Sequence, residues 1–207
     1  CKFADLTVFS FHPVKHIATG EGGAITTNKK ELYDKVALYR THGITKNPDF
    51  LTKNDGGWYY EMQELGYNYR ITDIQAALGI SQLRRLDWSI QRRNEIAQKY
   101  DDSFKSLPIK IPFRNKNIRH AFHLYVIQVD ADKRKELYNF LRENNIFSQV
   151  LYIPAHTMPY YKSLGWKEGD FPVAEDYYSK CLALPMFPSL TEEEQEYVIE
   201  KICCFYN

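Results

Sequence analysis

Short apolar runs alternate with glycine-, proline- or asparagine-marked breaks, and the spacing of the apolar positions changes along the chain. Thr7 to Phe11 is β-branched and aromatic, and Ala24 to Thr27 is a second short run; both predict strands. Gly20, Gly22 and Gly23 crowd the connection between them, where glycine takes positive φ without steric cost. From Asn28 the period lengthens. Leu32, Val36 and Tyr39 recur at helical spacing and predict a buried face, with Asn28 and Glu31 as a capping box and Gly43 as the stop. Residues 44–57 are rich in turn formers and predict a loop, and Trp58 to Met62 predicts an extended segment.

Thr72, with Gln75 three residues on, opens the longest helical stretch. Ile74, Leu78, Leu86, Ile90, Ala97, Tyr100 and Phe104 form its apolar stripe, Asp87 predicts a second cap and a break near Trp88, and Leu107-Pro108 ends it. Beyond residue 106 the pattern predicts a strand over His123–Val129. An amphipathic helix over Lys133–Asn144 follows, with Leu137, Phe140 and Leu141 inward, then a strand over Ser148–Ile153. A helix follows Phe171-Pro172 and runs through Cys181; the last helix is capped by Thr191 with Glu194 and carries Val198, Ile199 and Ile202. This order predicts a small α/β domain.

Composition narrows the classes. The 207 residues carry a formal net charge of +1, which gives no electrostatic case for nucleic acid or an anionic membrane. No apolar run approaches the ~20 residues that span a bilayer. Cys1, Cys181, Cys203 and Cys204 lack metal-ligand spacing and fit reduced thiols of a cytoplasmic protein. His12 and His16 stand four apart, but Pro13 argues against the helix that would make them a metal pair, so no metal site is expected.

One lysine stands out. Lys15 sits on the stiff connection after the first strand, with Pro13 just before it and Ser10 five residues earlier. An amine that attacks a carbonyl needs a fixed position, and a strand-end hydroxyl can hold an anion. Together they describe a pyridoxal phosphate site. The alternative is a hairpin whose lysine is merely exposed.

Phe9-Ser10-Phe11-His12-Pro13-Val14-Lys15, followed by Thr19-Gly20-Glu21-Gly22-Gly23, resembles the lysine segment of the DegT/StrS-type sugar-nucleotide aminotransferases. Ala18 departs from that family's usual threonine-like residue. The resemblance implies an α/β chain that is part of a fold-type I pyridoxal-phosphate-dependent transferase. Residues 1–70 would close the large mixed-sheet domain, 71–105 would be a connecting helix broken near 88, and 106–207 a small C-terminal α/β domain. It implies that Lys15 bonds the cofactor as an imine and that Ser10 holds its phosphate. Gly66-Tyr67-Asn68-Tyr69-Arg70 is similar to a segment that crosses a homodimer interface, so Asn68 would serve the neighbouring subunit's cofactor and Arg70 would lie near the substrate. Tyr152-Ile153-Pro154-Ala155-His156 resembles a substrate-facing loop, which makes Tyr152 and His156 candidates for nucleotide-sugar contact; the alternative for His156 is a loop histidine satisfied by its neighbours. Cys181-Leu182-Ala183-Leu184-Pro185-Met186-Phe187-Pro188 resembles the family's Leu-Pro-x-x-Pro structural turn.

The implied activity is transfer of an amino group, with glutamate as donor, to C4 of a UDP-linked 4-keto-6-deoxy-N-acetylhexosamine for glycan synthesis. In that family the lysine lies near mid-chain and the carboxylate for the ring nitrogen lies upstream of it. The 207 residues are therefore expected to be the C-terminal part of a longer enzyme, and to bind the cofactor poorly by themselves. Two other readings remain: a non-catalytic fragment or dimerisation module, and a sugar-dehydratase relative, against which Lys15 argues because those enzymes carry histidine there.

Overall fold

The computed structural model describes residues 2–115 and 117–207; Cys1 lies outside them. The chain divides into two compact units, one ending at Leu86 and the other spanning Asp87–Asn207. The division falls within the stretch expected to connect domains.

In the first unit β1 (Thr7–Ser10) and β2 (Gly23–Thr26) pair antiparallel, with Thr7 opposite Thr26 and Ser10 opposite Gly23. α1 (Lys30–Arg40) follows. Its cap residue is Lys29, not Asn28, and makes no side-chain cap hydrogen bond. The Thr27 hydroxyl accepts from Lys29 N at 3.0 Å instead, so a threonine turn sets the entry where a capping box was expected. The buried face predicted for this helix is not realised either. Leu32 and Val36 are half-buried, Tyr39 is 40% exposed, and no residue of α1 is fully buried.

The helix ends at Thr41, and the left-handed residue that follows it is His42, at φ +60°; Gly43, expected as the stop, comes one residue later at φ +67°, its N–H closing on Leu38 O at 3.0 Å. The predicted 44–57 loop contains β3 (Ile44–Thr45), which pairs with β4 (Glu61–Met62). Glu61 ties this region together. Its carboxylate accepts from Thr52 Oγ1 at 2.6 Å and Thr52 N at 2.9 Å, from Tyr59 OH at 2.8 Å and from Gln63 Nε2 at 3.2 Å. The Thr52 hydroxyl first, then the Thr52 N–H and the Tyr59 hydroxyl, pull its pKa down to about 2.

α2 (Asp73–Arg84) opens with the predicted capping box of Thr72 and Gln75. α3 (Leu86–Phe104) follows after a break at Arg85, three residues before the expected one, where Arg85 N closes a tight turn on Gln82 O at 3.1 Å. The predicted stripe splits at this break. Ala97, Tyr100 and Phe104 are fully buried, whereas Ile74 is 85% and Leu78 44% exposed.

The second unit contains the hydrophobic core. β5 (Tyr125–Gln128) and β6 (Cys181–Leu184) pair antiparallel, Tyr125 opposite Leu184 and Gln128 opposite Cys181. α4 (Ala131–Glu143), α6 (Pro172–Lys180) and α7 (Glu192–Tyr206) are the predicted helices, and a short α5 (Pro159–Ser163) precedes α6. Leu137, Leu141, Val198 and Ile202 join Tyr100, Phe104, Tyr125 and Ile127 in one cluster, with Phe140 and Ile199 packed against it. Buried within this unit, Arg93 Nη1 donates to Phe122 O at 2.9 Å, His123 O at 3.3 Å and Met186 O at 2.8 Å.

The strand predicted over Ser148–Ile153 is reduced to a single bridge, Gln149 to Ala183. The partner explains it. Continued antiparallel pairing would set Leu151 opposite Cys181, but the Cys181 N–H closes the end of α6 on Tyr177 O, and only its thiol donates to Leu151 O, at 3.5 Å. Cys181–Leu184, expected as a helix end and turn, is instead the buried strand β6. Cys181, Cys203 and Cys204 are all free.

Candidate active site

The lysine turn is built from its own backbone. Ser10 ends β1 with an exposed side chain, and its Oγ accepts from His12 N at 3.4 Å. His12 O accepts from Lys15 N at 2.9 Å, and His12 Nδ1 accepts from Val14 N at 3.5 Å. Ser10 and Lys15 are thus joined through one residue, with Lys15 half-buried.

The turn closes onto a second layer of main chain. Phe11 N donates to Gly22 O at 2.8 Å and Thr19 N to Phe11 O at 2.9 Å. Thr19, only 2% exposed, donates its hydroxyl to Glu21 O at 2.7 Å. Gly22 lies at φ +147°, and a Cβ there would stand 2.6 Å from Thr19 Oγ1; one on Gly23 would stand 2.6 Å from Phe9 O. Positive φ therefore explains Gly22, as expected, while Gly23 is required by close approach of the neighbouring strand. The His12–Glu21 ion pair at 3.9 Å is exposed and adds little.

α2 meets the same loop. Gln75 Oε1 accepts from Thr72 N at 3.0 Å as the capping box requires, and its Nε2 donates to Glu21 O at 2.8 Å. Gly79, one turn on, leaves room for Thr19; a Cβ would sit 3.1 Å from Thr19 Cγ2. The capping box was legible in the sequence, but the second use of the Gln75 amide was not. It joins residues 54 apart, and no periodicity records that.

Asn68 lies beside the end of α1, bridged to Thr41. Tyr67 N donates to Tyr39 O at 2.8 Å, His42 N to Tyr67 O at 2.9 Å, and Tyr69 N to Arg40 O at 3.0 Å. The Tyr67 and Tyr69 rings stack at 4.9 Å and 9°. Asn68 and Arg70 are both exposed.

Tyr152 and His156 belong to the second unit. Tyr152 is 73% exposed; His156 is 8% exposed, its Nε2 2.7 Å from Glu175 Oε1 and its ring 4.8 Å from that of Phe171. The same Glu175 oxygen accepts from Gly169 N at 2.8 Å, and the His156 bond first and the Gly169 bond second hold that carboxyl below its usual range. Glu175 was not singled out from the sequence. Among the described residues no cluster of three or more His, Cys, Asp or Glu has metal-holding geometry, and no helix is long and apolar enough to cross a membrane.

One turn thus carries both the Ser10 hydroxyl and Lys15. The model of the DegT/DnrJ/EryC1/StrS aminotransferase family matches residues 1–203, and the chain belongs to this family. It is 45% identical over 205 residues to the spore coat polysaccharide biosynthesis protein SpsC of Bacillus subtilis, covering 96% of this chain and 53% of that one. It is 38% identical over 201 residues to a UDP-4-amino-4,6-dideoxy-N-acetyl-beta-L-altrosamine transaminase of Campylobacter jejuni, covering 95% and 51%. In fold it matches the putative sugar aminotransferase Spr1654 of Streptococcus pneumoniae, whose structures include apo, pyridoxal phosphate and pyridoxamine phosphate forms. The apo form gives a TM-score of 0.89 at 31% identity over 98% of this chain and 52% of that one. The chain is thus a mixed α/β part of a pyridoxal-phosphate-dependent sugar aminotransferase fold, and it spans about half the length of the curated relatives it matches.

Proposed function

We propose that this chain carries the lysine-bearing part of an aminotransferase that moves an amino group from an amino acid, glutamate by preference, to a keto-sugar nucleotide. The observation that supports this most is the linkage of Ser10 to Lys15 through His12 within a glycine-fixed turn. The donor set suits pyridoxal phosphate: an amine for its aldehyde and a hydroxyl for its phosphate, five residues apart.

When bound, the cofactor supplies an electron sink that makes deprotonation of the amino donor's α-carbon accessible. Lys15 Nζ would hold the cofactor through its aldehyde carbon and, as a free amine, would take the α-carbon proton of the amino donor as a general base. Ser10 Oγ donates to the phosphate. Asn68 serves the phosphate site of a second subunit in a homodimer, and Arg70 the substrate beside it. Tyr152 offers an exposed phenol and ring to the nucleotide sugar. His156 lies on the same loop, its Nε2 bonded to Glu175, and is the second candidate for the nucleotide sugar. The substrate we assign is a UDP-linked 4-keto-6-deoxy-N-acetylhexosamine aminated at C4, which the name of the Campylobacter jejuni relative favours. On this reading the domain division follows the resemblance: residues 1–70 in the cofactor domain, 71–105 as connector, 106–207 as the small domain.

The test uses the protein at its full natural length. Incubation with pyridoxal phosphate, borohydride reduction and peptide mass analysis should give a modified peptide containing Lys15. Lys15→Ala should lower turnover by at least ~10²–10⁴-fold, the usual contribution of a positioned acid–base group. A reduced adduct on a different lysine, or none, overturns the assignment. A panel of keto-sugar nucleotides then decides the substrate.

A further inference from the structure

The turn bearing Lys15 is not anchored by a hydrophobic core. Up to Leu86 only Thr19 and Gly43 are fully buried among the described residues. What meets the back of the turn is one helical face of α2: Gln75 at its first turn and Gly79 one turn later. Gln75 is shared. Its oxygen completes the helix cap on Thr72, while its nitrogen donates to Glu21 O. The same Glu21 carbonyl accepts the Thr19 hydroxyl, so two donors from different segments converge on one main-chain oxygen. From there the path to the lysine is continuous, through Thr19 N to Phe11 O, across to Ser10 and His12, and to Lys15 N.

We infer that Gln75 is a positioning residue for Lys15. Its amide clamps the Thr19–Gly22 loop to the α2 N-terminus and so fixes the height of the lysine turn. The inference rests on the proposed role of Lys15 as the cofactor-binding amine. The cap and the clamp use different atoms, so one substitution separates them. Gln75→Glu keeps an N3 acceptor for Thr72, as a capping box commonly has, and removes the donor toward Glu21 O. At low pH the carboxyl regains a proton and can donate again. Gln75→Ala loses both functions and has no such recovery. Gly79→Ala approaches from the other side: it raises helix propensity while pressing on Thr19 Cγ2.

The experiment compares wild type, Gln75→Glu, Gln75→Ala and Gly79→Ala at full natural length. Amide exchange is followed across Phe11–Gly23, and the bound-cofactor absorbance is titrated against pH. For Gln75→Glu at neutral pH, exchange at Phe11 and Thr19 should rise about tenfold, the loss of one neutral hydrogen bond. Exchange at Ala76 should be unchanged, and the absorbance midpoint should move; lowering the pH should reverse the exchange effect in Gln75→Glu but not in Gln75→Ala. Gly79→Ala should move the midpoint with α2 protected at least as well as in wild type. If exchange across Phe11–Gly23 in Gln75→Glu matches wild type, or rises without moving the midpoint, Gln75 is only a cap and the inference fails. Borohydride labelling is read in parallel. Labelled Lys15 with an unmoved midpoint sinks this inference alone; unlabelled Lys15 in wild type sinks the functional reading itself.

Discussion

Gly66 tests the construction of the Asn68 segment. Here the chain crosses itself: a Cβ on Gly66 would stand 2.1 Å from Gly43 N and 2.5 Å from His42 C. Both atoms are main chain, so no rotamer change relieves the clash. Gly66 is not at positive φ, so Gly66→Ala perturbs the crossing and adds no intrinsic backbone strain. The two segments must part, and three hydrogen bonds bridge them: Tyr67 N to Tyr39 O, His42 N to Tyr67 O and Tyr69 N to Arg40 O. At ~0.5–1.5 kcal/mol each, their joint loss costs about 1.5–4.5 kcal/mol. Amide exchange at His42, Tyr67 and Tyr69 should then accelerate by about ten- to a thousandfold. Gly57→Ala is the control, since an added Cβ there meets nothing within 4 Å. If the three amides of Gly66→Ala exchange within about threefold of wild type, or the control accelerates equally, the crossing does not hold Asn68 in place.

Three further outcomes follow from the geometry. Arg93→Met should lower stability by about 3 kcal/mol or more, because the carbonyls of Phe122, His123 and Met186 lose their shared buried donor; a urea midpoint reports it, and a loss below about 1 kcal/mol would contradict the account. Thr191→Ala removes the cap hydrogen bond to Glu194 N at 3.1 Å and should cost about 1 kcal/mol of α7 stability, seen as fraying in amide exchange confined to its first turn. Glu61 has a folded pKa depressed from 4.5 to about 2, so its contribution to loop order is complete above the higher value and is lost as pH falls through the lower. Exchange across Thr52–Gln63 should therefore rise on acidification toward pH 2 in wild type, whereas Glu61→Gln should show weaker protection already at neutral pH and no acid transition there.

Legibility followed the range of the interaction. Capping boxes at Thr72 and Thr191 and the glycine turn before β2 are local chemistry, and the sequence displays them. The cap at Asn28 failed because Thr27 offered a competing turn one residue earlier. Ser148–Ile153 has strand periodicity, yet periodicity says nothing of whether a partner's donors are already engaged; the Cys181 N–H is spent on Tyr177 O. The stripe across α2 and α3 read as one face because spacing is blind to exposure, and Ile74 and Ala97 fell on opposite outcomes. The motif around Lys15 points to the amine we propose as the cofactor's partner; the contacts behind it, of Thr19, Gln75 and Gly79, had to be read from the fold.

The scarcity of buried side chains before Asp87 has a calorimetric consequence. Heat-capacity change on unfolding tracks the apolar area newly wetted, and opening the lysine turn wets almost none. A differential scan of this chain would report chiefly the cluster around Tyr100, Tyr125 and Leu137. Disorder of the Lys15 turn would leave the thermogram nearly unaltered, so a preserved melting peak would say nothing of where that amine stands.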